Sequence, residues 1–187
     1  MDFLVDLWLP ILLSAVFVFV VSSVLHMLIP IHKGDHSALP NEAAVLDALR
    51  RHGVRPGAYM FPCPSSMKDM GSPEMLAKYE QGPVGWINVM PNGAPAIGRN
   101  LLQWFVLSLA ISAVCAYVAA FALQPGADYL RVFRLTGTLA VMAYATGTFS
   151  ESIWKGQAWS TAAKFAFDGL VYGLVTAGTF AWLWPSA

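Results

Sequence analysis

Between Leu7 and Leu25 the chain runs for nineteen residues without a charge, and between Leu101 and Leu123 it does so for twenty-three. A bilayer core about 30 Å thick takes roughly 20 residues of helix at 1.5 Å per residue, so each stretch reaches across one. The first extends as a span from about Phe3 to Ile29, with Pro10 tolerated in its opening turns. Two more apolar stretches follow, one between Arg134 and Glu151 and one between Lys164 and Trp184 that only Asp168 interrupts. The reading is an all-α membrane protein, a four-helix transmembrane bundle. Helix 1 takes residues 1–29, helices 2 to 4 take residues 99–187, and a small α+β extramembrane region takes residues 30–98. Composition agrees: 57% of the 187 residues are hydrophobic and 12% are charged, against about 25% charged in an ordinary soluble domain. The mean hydropathy is +0.56.

Eleven Lys and Arg balance eleven Asp and Glu, which leaves no basic excess to attract a nucleic-acid backbone. Cys63 and Cys115 lie too far apart in sequence to form a CxxC pair, and Cys115 sits in an apolar run where a thiol packs as a small hydrophobe. Asp2 and Asp6 stand where a signal peptide carries positive charge, so the first span is expected to be a retained anchor. With four spans both termini share a side whose internal loop holds Arg131 and Arg134. The other side holds Lys33, Arg50, Arg51, Arg55, Lys68, Lys78, Arg99, Lys155 and Lys164. By the positive-inside rule that second side is cytoplasmic and both termini are outside.

Nine of the twelve prolines fall in residues 30–98, which are therefore not one long helix. An amphipathic run follows Asn41, with Val45, Leu46 and Leu49 on one side, and Gly53 stops it. A second helix is predicted over Pro73 to Gln81: Ser72 caps it, Pro73 suits its first position, Glu74 favours the positive dipole end and Gly82-Pro83 ends it. Extended pieces flank it at Tyr59 to Phe61 and Val84 to Met90. An αβαβ-like cytoplasmic cap results, too small for a large core of its own.

The strings YMFPCP, SMKDM and KYEQGPVG in this region, MPNGAP before the second span, and DGLVYGL followed by WLW in the last span together resemble a group of uncharacterised bacterial integral membrane proteins of similar length. The resemblance covers most of the chain. It implies a four-span, multi-pass protein of the bacterial inner membrane and assigns no residue a role.

Small residues recur every four positions at Ser108, Ser112, Ala116 and Ala120 in the second span, and at Gly169, Gly173, Ala177 and Ala181 in the fourth. The third span adds Ala143 and Gly147. Such spacing lets helix backbones approach closely in lipid, and it also suits docking of another subunit or a second copy. Ionisable groups in or near the membrane are costly and need a reason. His26, Arg99, Glu151, Lys164 and Asp168 all gather at the cytoplasmic ends of the spans. Asp168 is the deepest, about 6 Å below Lys164 and on the same helical face. A local Lys164–Asp168 ion pair is one account. The other is a polar pocket formed by Asp168, Lys164, Glu151 and His26, with hydroxyls from Tyr144 and Tyr172.

In HKGDH, His32, Asp35 and His36 are residue types that bind zinc or iron. Gly34, Pro30 and Pro40 argue against a continuous helix there, so a solvated loop is expected and no cofactor with it. A haem between spans lacks histidines on spans two to four, and no glycine-rich string fits a phosphate-binding loop. Cys63, between two prolines, has no visible activator. The function read from sequence is a non-enzymatic integral membrane protein, a subunit or scaffold whose cytoplasmic cap binds a partner or the membrane surface. Its surroundings are the lipid bilayer and a membrane-protein partner or a second copy. The alternative is a small oligomeric transporter or proton-linked permease using Asp168 and Glu151.

Overall fold

In the computed structural model, which describes residues 2–187, the chain runs through α1 (Phe3–Asp6), α2 (Trp8–Met27), a 3-10 turn (Pro30–His32), α3 (Glu42–Arg51), β1 (Gly57–Phe61), α4 (Met67–Met70), α5 (Pro73–Gln81), β2 (Gly85–Val89), α6 (Ile97–Ala122), α7 (Tyr129–Ala145), α8 (Gly147–Lys155) and α9 (Trp159–Trp182). The protein is mostly helical with one small sheet. It divides into two units, one formed by the residues up to Asp35 together with Ala96–Ala187, the other by His36–Pro95.

Two helices of the first unit, α2 and α6, are long and apolar enough to cross a membrane. Pro10 is the third residue of α2, where a backbone N–H has no partner inside the helix, so the ring costs nothing. The third apolar stretch is broken: α7 ends at Ala145 and α8 starts again after Thr146, leaving α7 only 17 residues long. In α9 the length is there, but Lys164, Asp168 and several threonines lower its hydropathy.

The long helices run in alternating directions. The end of α9 meets the α6–α7 connection, where Trp184 Nε1 donates to the Gln124 carbonyl and the Gly126 amide to that of Pro185. At the opposite end Trp104 of α6 donates its indole N–H to Ser22 Oγ of α2 at 2.9 Å. The most extensive interface joins α7 to α9. Gly169 lies against Ala145, Gly173 against Val141, and Ala177 against Gly137. Those are antiparallel partners at four-residue steps on both helices, so the small-residue stripe of α9 meets a face of α7 made of Gly137, Val141 and Ala145. Ala143 and Gly147, which the sequence suggests for that face, are exposed instead. On α6, Ser108, Ser112 and Ala116 are buried and Ala120 is half-buried.

Most helical hydroxyls in this unit return to their own helix. Ser22, Ser23, Ser108, Thr136, Thr138, Thr146, Thr176 and Thr179 each donate to a carbonyl three or four residues back. A polar side chain satisfied in this way needs no water, which suits an apolar setting.

In the second unit β1 and β2 pair antiparallel, Tyr59 opposite Ile87. Helix α5 has the predicted bounds, and Ser72 Oγ accepts from the Met75 amide at 3.2 Å. Helix α3 likewise follows Asn41 and stops before Gly53, whose φ of +64° suits glycine. Asn41 itself adopts φ 49° and makes no side-chain capping bond. The short α4, capped by Ser66, has no counterpart in the sequence reading.

Candidate functional site

The chain leaving α2 contains Pro30, whose fixed φ favours the tight turn at Pro30–His32. That turn folds back toward the start of α9 and brings residues 26 to 35 onto residues 161 to 168. His32 is the hinge of the resulting cluster. Its Nδ1 lies 2.7 Å from Asp35 Oδ2 and its Nε2 lies 2.8 Å from Asp168 Oδ2. His26 Nε2 approaches the same Asp168 oxygen at 3.5 Å. The two imidazoles stack with ring centroids 4.4 Å apart, and Phe165 covers His32 at 4.9 Å.

Asp35 closes the far side. Its Oδ1 accepts from Lys164 Nζ at 2.6 Å, with Thr161 Oγ1 at 3.5 Å. The Lys164 hydrogen bond, helped by His32 on the other oxygen, holds the Asp35 carboxyl below its ordinary range. Lys164 is thus engaged by Asp35, and the i,i+4 pair with Asp168 that the spacing allows is not formed; Asp168 has His32 and His26 instead.

A carboxylate only accepts hydrogen bonds, and here both nitrogens of one ring face carboxylate oxygens. Two bonds therefore need two protons, one more than a neutral imidazole provides.

Asp168 is only 1% exposed, and its second oxygen, Oδ1, has no hydrogen-bond partner. It lines a cavity of about 450 Å³ with Ser22, His26, Trp104, Tyr144 and Tyr172. The hydroxyls of Tyr144 and Tyr172 are buried without partners as well. Three unpaired polar groups around one cavity mark a place for a ligand with hydrogen-bonding or coordinating capacity.

Of the residues singled out in sequence, His26, Tyr144, Tyr172 and Asp168 line this cavity, and Lys164 stands behind it through Asp35. Glu151 is not drawn in; it pairs with Lys155 at 2.8 Å on the outside of α8. Among the loop residues His32 and Asp35 join the cluster, whereas His36 begins the second unit and is exposed. Sequence reasoning grouped His32 with His36 by spacing, and placed Asp168 in a pocket with Lys164, Glu151, His26 and the two tyrosines that left His32 out. The contact between His32 and Asp168 spans 136 residues, and only the Pro30 turn hinted at it. Among the described residues His26, His32 and Asp168 form a group whose ligand atoms all lie within 4.8 Å of one another, close enough to hold a metal ion.

Comparison with protein-family models, with curated proteins and with solved structures gives no match for this chain.

Proposed function

We propose that this chain is a multi-pass integral membrane protein that binds a small ligand in the Asp168 cavity at the cytoplasmic ends of its helices. The observation that carries this reading is Asp168 itself: a buried carboxylate with one oxygen unpartnered, on a residue that lines a cavity of about 450 Å³ together with two tyrosines whose hydroxyls are also unpartnered. A carboxylate held within a span costs on the order of 2.5 to 3.5 kcal/mol on insertion scales, a cost that a binding function would justify. Four spans, with α7 and α9 completing the set begun by α2 and α6, are supported by the exposed Trp8, Tyr129 and Trp182 at one end and Trp154 and Trp159 at the other. Amphipathic rings settle at headgroup level in such belts. Lys33, Arg99, Lys155 and Lys164 at the cavity end support a cytoplasmic reading of that end under the positive-inside rule, with both termini outside; the inner membrane of a bacterium is the location this reading takes from the resemblance.

The test is Asp168→Asn, which keeps shape and removes charge. Growth of a deletion strain carrying this variant should fail to match wild type, while the purified variant stays folded in detergent. Wild-type behaviour in both assays would eliminate the cavity as a functional site.

The subunit or scaffold reading has support of its own in the second unit. There Met75 is buried, yet Leu39, Met67, Leu76, Val84, Trp86 and Met90 are exposed. So much apolar surface over so small a core favours a covering membrane surface or partner. Photo-crosslinking side chains placed at Met67 and Trp86 in intact membranes would capture lipid in the first case and a discrete protein in the second.

A further inference from the structure

We infer that His26, His32 and Asp168 form a binding site for a divalent transition metal, with Asp35 as the group that orients His32. The inference rests on the cavity reading above and names its ligand. Two imidazoles and one carboxylate are the donor set of open zinc and iron(II) sites, in which the protein supplies three ligands and leaves the remaining position free.

Geometry supports the assignment. Ligands bound at 2.0 to 2.1 Å in a tetrahedral site stand about 3.3 Å from one another. Here His32 Nε2 and Asp168 Oδ2 are 2.8 Å apart, and His26 Nε2 and Asp168 Oδ2 are 3.5 Å apart. The two separations fall on either side of that value, and one ligand atom from each of the three residues lies within 4.8 Å of the others.

The surroundings are those that a metal-binding histidine requires. Such a histidine hands its second ring N–H to a carboxylate, which fixes the tautomer and raises the basicity of the ligating nitrogen. His32 does so through Nδ1 to Asp35, and Asp35 is held in place by Lys164. This leaves Nε2 directed at Asp168. A second, independent observation is the unpartnered Oδ1 of the almost fully buried Asp168. Because His26 and Asp168 both line the cavity, the free coordination position opens into it. Tyr144 and Tyr172, whose hydroxyls have no partner, line the same cavity.

The experiment uses the full chain purified in detergent, stripped with a chelator and then given zinc(II) alone or cobalt(II) alone. Equilibrium dialysis with elemental analysis should find about one zinc per chain and a raised thermal midpoint, and cobalt should give the intense visible bands of a four-coordinate site. His32→Ala and Asp168→Asn should each abolish stoichiometric binding. Asp35→Asn should weaken it about 10- to 100-fold, as loss of an orienting partner does, with the cobalt spectrum altered but present. His36→Ala and Glu151→Gln should bind as wild type. Absence of stoichiometric metal in the wild-type protein overturns the inference, as does binding that survives both His32→Ala and Asp168→Asn. If zinc fails to bind while Asp168→Asn still abolishes growth, the metal assignment falls and the cavity reading stands; if Asp168→Asn is inert in every assay, both fall.

Discussion

Replacing Gly169 by alanine tests a close backbone approach between α7 and α9. A Cβ at Gly169 would lie 2.7 Å from both the Cα and the N of Ala145 and 2.8 Å from its Cβ. That is about 0.7 Å inside ordinary van der Waals contact, against backbone that has no rotamer to escape into. The α7–α9 interface must open, and overpacking of this kind costs roughly 1 to 3 kcal/mol. Against it stands the gain of about 1 kcal/mol that alanine brings to a helix interior over glycine. Gly178→Ala on the same helix supplies the control, because its Cβ meets only Tyr129 Oη at 4.0 Å. The control should be stabilised by about 1 kcal/mol, and the difference between the two variants cancels helix propensity and isolates the interface term. Taking about 2 to 4 °C per kcal/mol for a chain of this size, Gly169→Ala should melt roughly 2 to 12 °C below Gly178→Ala in the same detergent. Equal midpoints for the two variants would refute the packing argument and with it the register that pairs Gly169 with Ala145.

Ser72→Ala removes the oxygen that accepts from the Met75 amide and should cost about 1 kcal/mol, visible as faster hydrogen exchange over residues 73–81. Trp104→Phe deletes the indole donor to Ser22; a loss of about 0.5 to 1.5 kcal/mol is expected in thermal denaturation. Asp69 accepts from the backbone and side chain of Ser65 and from Ser72, which lowers its pKa. A depressed carboxyl stabilises the fold fully above its unfolded value near 3.9 and loses that contribution as pH falls through its lower folded value. Order in residues 65–72 should therefore persist through pH 5 and decline only below about pH 4, and Asp69→Asn should remove that acid-side transition in amide exchange or NMR.

What the sequence made legible follows from whether a feature is local. α2 and α6 stand out because nothing charged interrupts them. α5 was readable to the residue because Ser72, Pro73 and Gly82-Pro83 are each a local stop or start with its own chemistry. The break at Thr146 was not, since Thr is tolerated within helices and no glycine or proline precedes it. The third span's packing face was misjudged for a related reason: Ala143 and Gly147 are small, but register is set by the partner helix, and Gly173 selects Val141. The site was half legible. Asp168, His26 and the tyrosines were suspected because polar groups in apolar runs are costly. That Lys164 reaches Asp35 and not the carboxylate one turn away depends on where the Pro30 turn returns, which no spacing rule encodes.

On the four-span reading proposed above, the pairing of α7 with α9 bears on how the chain would enter a bilayer. α2 and α6 are apolar enough to partition one at a time, whereas on that reading α9 carries Lys164 and Asp168, and a charge costs up to about 2.5 to 3.5 kcal/mol in solitary insertion at mid-membrane. Once α7 and α9 zip along Gly137, Val141 and Ala145, Asp168 turns inward to meet His32 and His26, already delivered by the first span. The last two helices are thus expected to enter as a hairpin, after α2 has prepared their polar partners, which makes the order of synthesis part of the folding mechanism.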